Sequence, residues 1–406
     1  MTGTSFYSVE KTHDGRSGGA TQAETRVYNE RLIVSLVRRH QQLSKTDLTR
    51  LTGLAPQTIT TIVNRAADSG LLLRRDPLRG RLGQPSVPYS LNPDGAYSFG
   101  LKIDHRSADV VLVNFVGEVM AIRQTTFQYP TPTEVVAFTR TAIDRMRKQR
   151  SISNDRIAGL GIASPFHQWN WGEEIGIPPA RIQAWKEIDI RAELDRLFDW
   201  PVYLFNDAAV AAGAELMFGS GLGLADFLYA YVGYVIGVGL VLDHHLVPGR
   251  NNLAASIGRI PVPSASNGTN AHSVQLLEVA SLHSLARELD GGKELLVWSS
   301  PPDWSTLGPP LLNWMGAVAD GLAHIALNAA NLIDVDNLII DGSIPANVRK
   351  EIAKGVRQKL AFVMGNRPEP FSVTEGSFGP LGPAIGGASI PLLVKYSNDK
   401  GLLFKE

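Results

Sequence analysis

Cysteine is absent from all 406 residues of this chain. Without thiols the protein can form no disulfide bond and has no thiolate ligands for a structural zinc ion. No apolar run approaches the ~20 residues that a membrane-spanning helix needs, and the amino terminus is polar rather than signal-like. These absences predict a soluble, cytoplasmic protein with no membrane partner and no thiolate metal site.

An excess of charge of either sign is also missing. The chain has 39 basic and 39 acidic residues, so its formal net charge is zero. Attraction to a polyanion must therefore come from the local placement of basic residues. The hydrophobic content of 44% permits a sizeable core, and the length predicts several folding units. Residues 1–23 show no hydrophobic periodicity and are expected to form a disordered tail.

Two short helices joined by a glycine turn are predicted within residues 44–65. Ser44 and Asp47 form a capping-box pair at the start of the first helix, and Leu48 and Leu51 give it one apolar face. The second helix combines an apolar stripe with an opposite polar face. A predicted amphipathic helix upstream of these two adds a third helix, so a small core of three helices is expected.

A strand and an arginine-rich turn follow these helices. Residues 71–75 are apolar and end in two arginines, residues 79–85 combine glycine with arginine, and apolar alternation resumes at Tyr89. Between residues 24 and 90, eleven basic residues stand against five acidic ones. The segment 24–92 is therefore predicted to be a winged helix-turn-helix that binds a double-stranded DNA operator. The expected DNA contacts are Ser44, Gln57, Thr58, Thr60, Thr61, Asn64, Arg65, Arg79, Arg81 and Gln84.

After residue 97 the pattern changes to apolar strands that alternate with helices. Three strands in a row suggest a meander over 98–122, and a helix over 133–150 and a strand over 157–163 follow. A second cycle has strands at 227–233, 237–243 and 337–341 and helices at 273–289 and 311–332. This alternation predicts an α/β fold of two related lobes.

Several motifs in this order resemble those of the ROK family, which contains sugar-responsive repressors and sugar kinases on a two-lobed, actin-like ATPase fold. The matching stretches are 81–85, 91–93, 201–215, 237–243, 256–261, 338–343 and 381–388. The resemblance implies a first lobe over 93–215 and a second over 216–382, with a C-terminal helix, 383–406, packing back on the first. The fused winged helix looks like the repressor branch.

The resemblance also implies a ligand site between the lobes. Asp207 matches the catalytic base of the family's kinases, which favours a ligand contact for Asn206 and Asp207, whereas the sequence pattern alone favours their capping the following helix. Ser256 and Arg259 stand where the family has a sugar-binding Glu and His, and a third carboxylate falls at Leu277 or Glu278. Arg259 would suit a sugar acid or a phosphorylated sugar, or could pair with an acid structurally. Trp169, Trp171 and Trp185 lie in a segment that matches the loop over the sugar cleft, where they either stack on a ligand or simply pack.

Two departures from the family pattern bear on activity. The stretch 104–108 replaces a glycine-rich phosphate loop, and the bulky His105 and Arg106 would narrow the approach of a phosphate. The family's zinc-binding histidine and cysteines are absent as well. The sequence therefore predicts no catalytic residue, no kinase activity, no cofactor and no metal site.

Three functions remain in competition. The leading one is a DNA-binding repressor of carbohydrate-related genes, a homodimer or homotetramer, controlled by a small carbohydrate-like effector in the interlobe cleft. The second is an ATP-dependent sugar kinase. The third is an interaction module whose basic segment binds protein or RNA. In a further alternative, the arginines of the basic segment are ordinary solvated surface residues that bind no partner.

Overall fold

The computed structural model describes residues 22–77, 86–165, 178–249, 257–263, 273–289, 292–298, 303–365 and 371–398. These residues divide into two compact units. The first unit contains residues 22–92 and 393–398, and the second contains residues 93–392. The predicted disordered tail lies outside the described residues, apart from its last two, which begin the first helix.

The first unit consists of three helices and a small antiparallel sheet. Its elements are α1 (Gln22–His40), β1 (Leu43–Ser44), α2 (Lys45–Thr52), α3 (Pro56–Asp68), β2 (Leu72–Arg74) and β3 (Pro88–Leu91). The strand order is β1-β3-β2. Buried side chains of the three helices, among them Ile33, Leu48 and Ile59, form the core of the helical part. A winged helix-turn-helix is thus present as predicted.

Local signals set the ends of these helices. The Ser44 hydroxyl accepts from the Asp47 backbone N–H at 3.1 Å, and the Asp47 carboxylate accepts from the Ser44 N–H at 3.1 Å, so the predicted capping box begins α2. Gly53 ends α2 with φ 69°, a left-handed conformation that favours glycine. Leu51, expected on the apolar face, is instead 43% exposed, because α2 is short and only Leu48 reaches the core.

The second unit begins with a five-stranded sheet. Three antiparallel strands, β4 (Tyr97–Ile103), β5 (Ser107–Asn114) and β6 (Val119–Thr126), are followed by α4 (Pro132–Arg150) and β7 (Ile157–Ser164). Then come α5 (Pro179–Lys186), α6 (Ile190–Asp195), β8 (Val202–Asn206) and α7 (Asp207–Phe218). The strand order is β6-β5-β4-β7-β8, with β4, β7 and β8 parallel.

A second five-stranded sheet follows. It begins with β9 (Phe227–Val232), β10 (Gly237–Leu242) and β11 (His245–Leu246). A short hairpin of β12 (Pro261–Pro263) and β13 (Ser273–Gln275) comes next. Three short helices follow the hairpin: α8 (Leu276–Ala280), α9 (Leu282–Arg287) and α10 (Glu294–Trp298). The remaining elements are α11 (Pro309–Ile333), β14 (Asn337–Gly342), α12 (Ala346–Met364), β15 (Ser372–Glu375) and α13 (Gly382–Tyr396). The order is β11-β10-β9-β14-β15, again with three parallel strands.

The two large sheets share one connectivity. Each starts with an antiparallel meander and then adds two parallel strands beside its first strand. This repetition confirms the predicted α/β fold of two related lobes. Each sheet has its own apolar core, one packed with α4 and α6 and the other with α8, α9, α11 and α12.

Glycines let α13 approach the first sheet closely. A Cβ added at Gly100 would lie 1.9 Å from the Ala384 carbonyl oxygen, and one added at Gly161 would lie 1.9 Å from that of Gly387. Backbone contact at such a distance leaves no room for a side chain. The small residues of the 381–388 motif therefore have a packing role.

One predicted helix was wrong in detail. Residues 273–289 form β13 and two short helices rather than one, because Ser281 is extended, with ψ 154°, and separates α8 from α9. Its hydroxyl accepts from the Ile236 N–H at 3.0 Å, and its carbonyl accepts from the Trp314 indole N–H at 3.0 Å. In the described part of the chain, no helix has the length and apolar character of a membrane span.

Candidate functional site

Helix α3 presents one polar face to solvent. Ile59, Ile62, Val63 and Ala66 are buried, whereas Gln57, Thr61 and Asn64 are exposed and fall on the opposite side at helical spacing. Amide side chains of this kind can exchange bidentate hydrogen bonds with base edges in a major groove. Helix α3 therefore has the surface that a DNA-reading helix needs.

The other predicted DNA contacts on the helices lie at the margin of this face or are buried. Thr58, Thr60 and Arg65 are only half-buried, and the Arg65 guanidinium pairs with the Glu30 carboxylate of α1. Ser44 is 5% exposed, and its hydroxyl is engaged in the capping box. The pair with Glu30 and the capping box occupy the polar groups of Arg65 and Ser44. DNA contacts from these two residues remain predictions, and the bonds within the protein do not favour them. Arg79, Arg81 and Gln84 lie outside the described residues.

Lys45 fixes the amide of Asn64. The Lys45 ammonium donates to the Asn64 side-chain oxygen at 2.8 Å and also lies 5.6 Å from the centre of the Tyr89 ring. An ammonium only donates hydrogen bonds, so the Asn64 oxygen must face it, and the Asn64 amide nitrogen is directed elsewhere. No signal in the sequence indicated this contact.

A second candidate site lies where parallel strands of the first large sheet end. In the registers of β4, β7 and β8, Lys102 is level with Ala163, and Ser164 is level with Asn206. The turn after β4, the end of β7 and the start of α7 therefore share one edge of the sheet. Carboxyl ends of parallel strands are where α/β proteins most often bind ligands.

Asn206 and Asp207 occupy this edge and also begin α7. The Asn206 side chain accepts from the Ala209 N–H at 3.2 Å, and the Asp207 carboxylate accepts from the Ala208 N–H at 2.8 Å. Both residues thus serve as helix caps, the alternative that the sequence left open. Burial, reinforced by the carboxylate of Asp104, raises the pKa of Asp207 to about 6. A carboxylate held in this way would be stabilised by hydrogen-bond donors from a ligand.

Lys102 and His105 engage the carboxylate of Asp104. The Lys102 ammonium lies 3.0 Å from one Asp104 oxygen, and His105 Nδ1 lies 3.2 Å from the other. Burial opposes the charge on Lys102, yet Tyr231, Asp104 and Asp109 hold its pKa above its ordinary value. Burial also opposes the charge on Asp104 and so raises its pKa, but Lys102 and His105 outweigh this effect and keep the pKa of that carboxyl low. Asp104 is therefore ion-paired with Lys102 and hydrogen-bonded to His105 at the position that matches the family's phosphate loop.

Aromatic rings connect this edge to the second sheet. The His105 ring stacks on Tyr234 with centroids 4.5 Å apart, and Tyr234 stacks on His283 at 5.4 Å. The Tyr234 hydroxyl also lies 3.2 Å from His283 Nδ1. Tyr234 belongs to the turn between β9 and β10 that Ser281 supports. We call this stack of His105, Tyr234 and His283 the ring wall.

The remaining predicted ligand residues are exposed, take part in a helix cap or in packing, or lie outside the described residues. Arg259 and Glu278 are exposed, and Glu278 accepts from the Gln275 N–H at 3.0 Å as part of a helix cap. Ser256, Trp169 and Trp171 lie outside the described residues. Trp185 is 8% exposed and donates its indole N–H to the Pro130 carbonyl at 2.9 Å, so its role is packing.

Sequence reasoning missed Lys102 and the ring wall. The signal for Lys102 was a lone charge inside an apolar strand, which burial makes costly unless a partner is present. No comparable signal marked Tyr234 or His283. The described residues contain no group of three or more histidine and carboxylate side chains arranged to hold a metal ion.

Comparison with known proteins adds three findings. A sequence profile described as "ROK family" matches residues 99–279. The xylose repressor of Bacillus subtilis (strain 168) is 21% identical over 383 residues, covering 91% of this chain and 96% of that protein. A glucokinase of Halalkalibacterium halodurans is 30% identical over 280 residues, covering 64% of this chain and 84% of that protein.

The fold is shared with a solved structure. A ROK family transcriptional regulator described as a homologue of the E. coli MLC protein superposes with a TM-score of 0.61 at 18% identity. The match covers 93% of this chain and 99% of the other. Because the superposition leaves only a small part of either chain unmatched, the likeness extends through the first unit as well as the second.

Proposed function

This chain belongs to the ROK family, and from that premise we propose that it is a sequence-specific, DNA-binding repressor of carbohydrate-related genes. A sugar or sugar derivative bound at the edge formed by β4, β7 and β8 sets its affinity for the operator. The single observation that carries the proposal is the polar, exposed face of α3 in a winged helix-turn-helix. The xylose repressor of similar length supports the same assignment.

Charge in the first unit supports DNA as the partner. The surplus of basic residues between 24 and 90 contrasts with the neutral whole. Basic residues near the groove neutralise phosphates, while amide groups read base edges. Gln57, Thr61 and Asn64 provide the second kind of group.

Assembly as a homodimer or homotetramer would let two such helices read two half-sites. Half-sites read by paired helices are spaced roughly 34–36 Å apart, or a multiple of that distance. A ligand that binds one arrangement of the two heads better than another changes operator affinity by its difference in binding free energy.

Competition binding tests the proposal. Fluorescence anisotropy would compare the full chain on duplexes from its own upstream region with random duplexes of equal length, at several salt concentrations. We expect a preference of about 10³-fold or more for one duplex, because specific and non-specific affinities differ by at least that much. Equal affinity for all duplexes, or a preference for RNA, would contradict the assignment.

Variants of α3 locate the surface. Gln57→Ala and Asn64→Ala each remove a base-reading group and should cost about 1–3 kcal/mol on the preferred duplex, with a smaller loss on random DNA. Asn328→Ala, at an exposed position of α11, is the matched control and should bind like the wild type. Equal losses on both kinds of DNA would indicate phosphate contacts instead.

A sugar kinase is the second candidate, favoured by one observation. Asp207 matches the position of the family's catalytic base, and a pKa of about 6 suits a group that takes a proton near neutral pH. Against this, Lys102 and His105 engage Asp104 where a phosphate loop would be needed. A coupled ATPase assay over a sugar panel decides: turnover that Asp207→Asn abolishes would favour the kinase.

A further inference from the structure

An internal contact occupies the amide oxygen of Asn64. The Lys45 ammonium donates to that oxygen at 2.8 Å, and the contact joins the start of α2 to the exposed face of α3. An asparagine that reads adenine in a major groove uses both halves of its amide, the oxygen and the nitrogen. In this chain one half is already bonded within the protein before DNA arrives.

Lys45 is placed beside Asn64 by its surroundings. It is the first residue of α2, where the positive end of the helix dipole disfavours a cation. Asp47, the nearest carboxylate in sequence, is engaged in the capping box and pairs with Arg50 at 3.7 Å. The buried Tyr89 ring of β3 lies 5.6 Å from the ammonium. The ring and the Asn64 oxygen therefore supply the attraction that holds this ammonium.

The contact limits what Asn64 can offer to a base. An ammonium only donates hydrogen bonds, so it faces the amide oxygen, and the amide nitrogen with its two hydrogens is directed elsewhere. A second donor that approached the same oxygen would meet the positive charge of Lys45. The pair therefore presents N–H groups alone, those of the Asn64 amide and those of the ammonium that Asn64 does not use.

Donors alone distinguish the two purines in the major groove. Guanine presents two acceptors there, N7 and O6, whereas adenine presents the N7 acceptor beside an N6 amino donor. An unrestrained asparagine pairs with adenine, because its oxygen accepts from N6 while its nitrogen donates to N7. With the Asn64 oxygen held by Lys45, the bond from N6 is lost. The adjacent ammonium adds a donor that suits guanine O6.

We propose that Lys45 and Asn64 act as one unit that selects guanine over adenine at one base of each operator half-site. Asn64 makes the base contact, and Lys45 is a positioning residue that determines which base Asn64 prefers. This inference rests on the proposed function and specifies part of the sequence that α3 reads. A lysine bound to phosphate, or a contact that only joins α2 to α3, would give no such selectivity.

Base replacement tests which groups are read. Selection from random duplexes with the full chain gives a preferred duplex, and the base whose replacement no longer matters in Asn64→Ala is the one that Asn64 contacts. We expect guanine at that base, and its exchange for adenine should weaken binding of the wild type about tenfold. Inosine is the matched control. It keeps N7 and O6 and lacks only the minor-groove amino group, so it should bind like guanine.

Variants at positions 45 and 64 separate positioning from simple charge. Lys45→Met releases the Asn64 oxygen, so the ratio of affinities for guanine and adenine should fall about tenfold, whereas Lys45→Arg keeps a donor and should retain more of the ratio. Asn64→Asp keeps an acceptor for Lys45 but replaces the reading nitrogen by oxygen, and should abolish the guanine preference. The matched control, Arg50→Met, removes a cation from the same helix without touching Asn64 and should leave the ratio unchanged. Thermal unfolding checks that each variant folds, and if Lys45→Met does not, the ratio in Asn64→Asp decides.

Several results would overturn the inference. These are adenine at the base that Asn64 contacts, no base that depends on Asn64, weak binding of inosine in place of guanine, or an unchanged ratio in folded Lys45→Met or Asn64→Asp. An equal loss on all duplexes in Lys45→Met, with a shallower dependence on salt, would assign Lys45 to a phosphate and overturn it as well.

The proposed function fails on a different result, which is equal affinity of the wild type for all duplexes. A wild type that prefers one duplex, with a ratio that does not depend on Lys45, would leave the repressor assignment standing and remove only the selective role of the pair.

Discussion

The raised pKa of Asp207 predicts that Asp207→Asn stabilises the unliganded second unit. Burial and the neighbouring Asp104 raise that pKa from its ordinary 3.8 to about 6. The folded state therefore holds the ionised carboxylate less favourably than the unfolded chain does. An isosteric amide keeps the hydrogen bond from the Ala208 N–H and removes the charge.

The magnitude follows from linkage. Raising the pKa by about two, at 1.36 kcal/mol per pH unit, lowers the free energy of unfolding by about 3 kcal/mol above pH 6. Because Asp207 is only half-buried, solvent reduces this figure, and we expect a gain of about 1–3 kcal/mol at pH 7.5. The penalty is absent below pH 4, where Asp207 is protonated in both states. The advantage of the variant should therefore shrink as the pH falls from 6 to 4.

Urea denaturation followed by tryptophan fluorescence measures this directly. All seven tryptophans lie between residues 93 and 392, so their signal reports on the second unit. Curves at pH 7.5, 5 and 4 would compare wild type, Asp207→Asn and the control Asp199→Asn, which removes an exposed carboxylate. A gain that does not change with pH, or a loss of stability at pH 7.5, would refute the reasoning.

Three further substitutions test packing and caps in the two units. Gly161→Ala places a Cβ 1.9 Å from the Gly387 carbonyl oxygen and should destabilise the second unit by about 3 kcal/mol. Gly223→Ala, the control, has open space around the added Cβ and should leave the stability unchanged. Equal urea midpoints for the two variants would contradict the close approach of α13. Glu215→Ala removes the acceptor for the backbone N–H groups of Ser220 and Ser377, at 2.7 and 2.6 Å, and should cost about 2 kcal/mol in the same assay. Ser44→Ala removes the capping box of α2 and should cost the first unit about 1 kcal/mol, seen as faster amide hydrogen exchange in α2; unchanged exchange would argue against the cap.

The first unit was predictable because its signals are local. A capping box, a glycine turn and apolar stripes at helical spacing specify α2 and α3 within a short stretch of sequence. Most strands of the two lobes were predicted for the same reason, since they are short apolar runs bounded by turn residues, whereas the short strands β11 and β15 were not assigned. Helix α12 was not assigned, because its apolar positions are interspersed with lysine and arginine and its N-cap residue, Pro345, has no side-chain hydrogen bond to mark the start.

The candidate ligand site was only partly predictable, because its chemistry depends on contacts between distant segments. Asn206 and Asp207 were found through a motif that is continuous in sequence. His105 was noticed only as a bulky replacement for glycine, and its stacking on Tyr234 joins the turns of two different sheets. The pairing of Lys102 with Asp104 depends on side-chain direction at a strand end, which sequence spacing alone does not determine.

The central claim is that a ligand at this edge and DNA at α3 bind to coupled sites. The most direct measurement is the affinity of the full chain for its preferred duplex, with and without a saturating concentration of a sugar or sugar derivative that raises the unfolding temperature of the chain. Coupling predicts a change of about fivefold or more, and the same factor in sugar affinity when DNA is added, since linkage is reciprocal. Equal DNA affinity with and without the bound sugar would contradict the account.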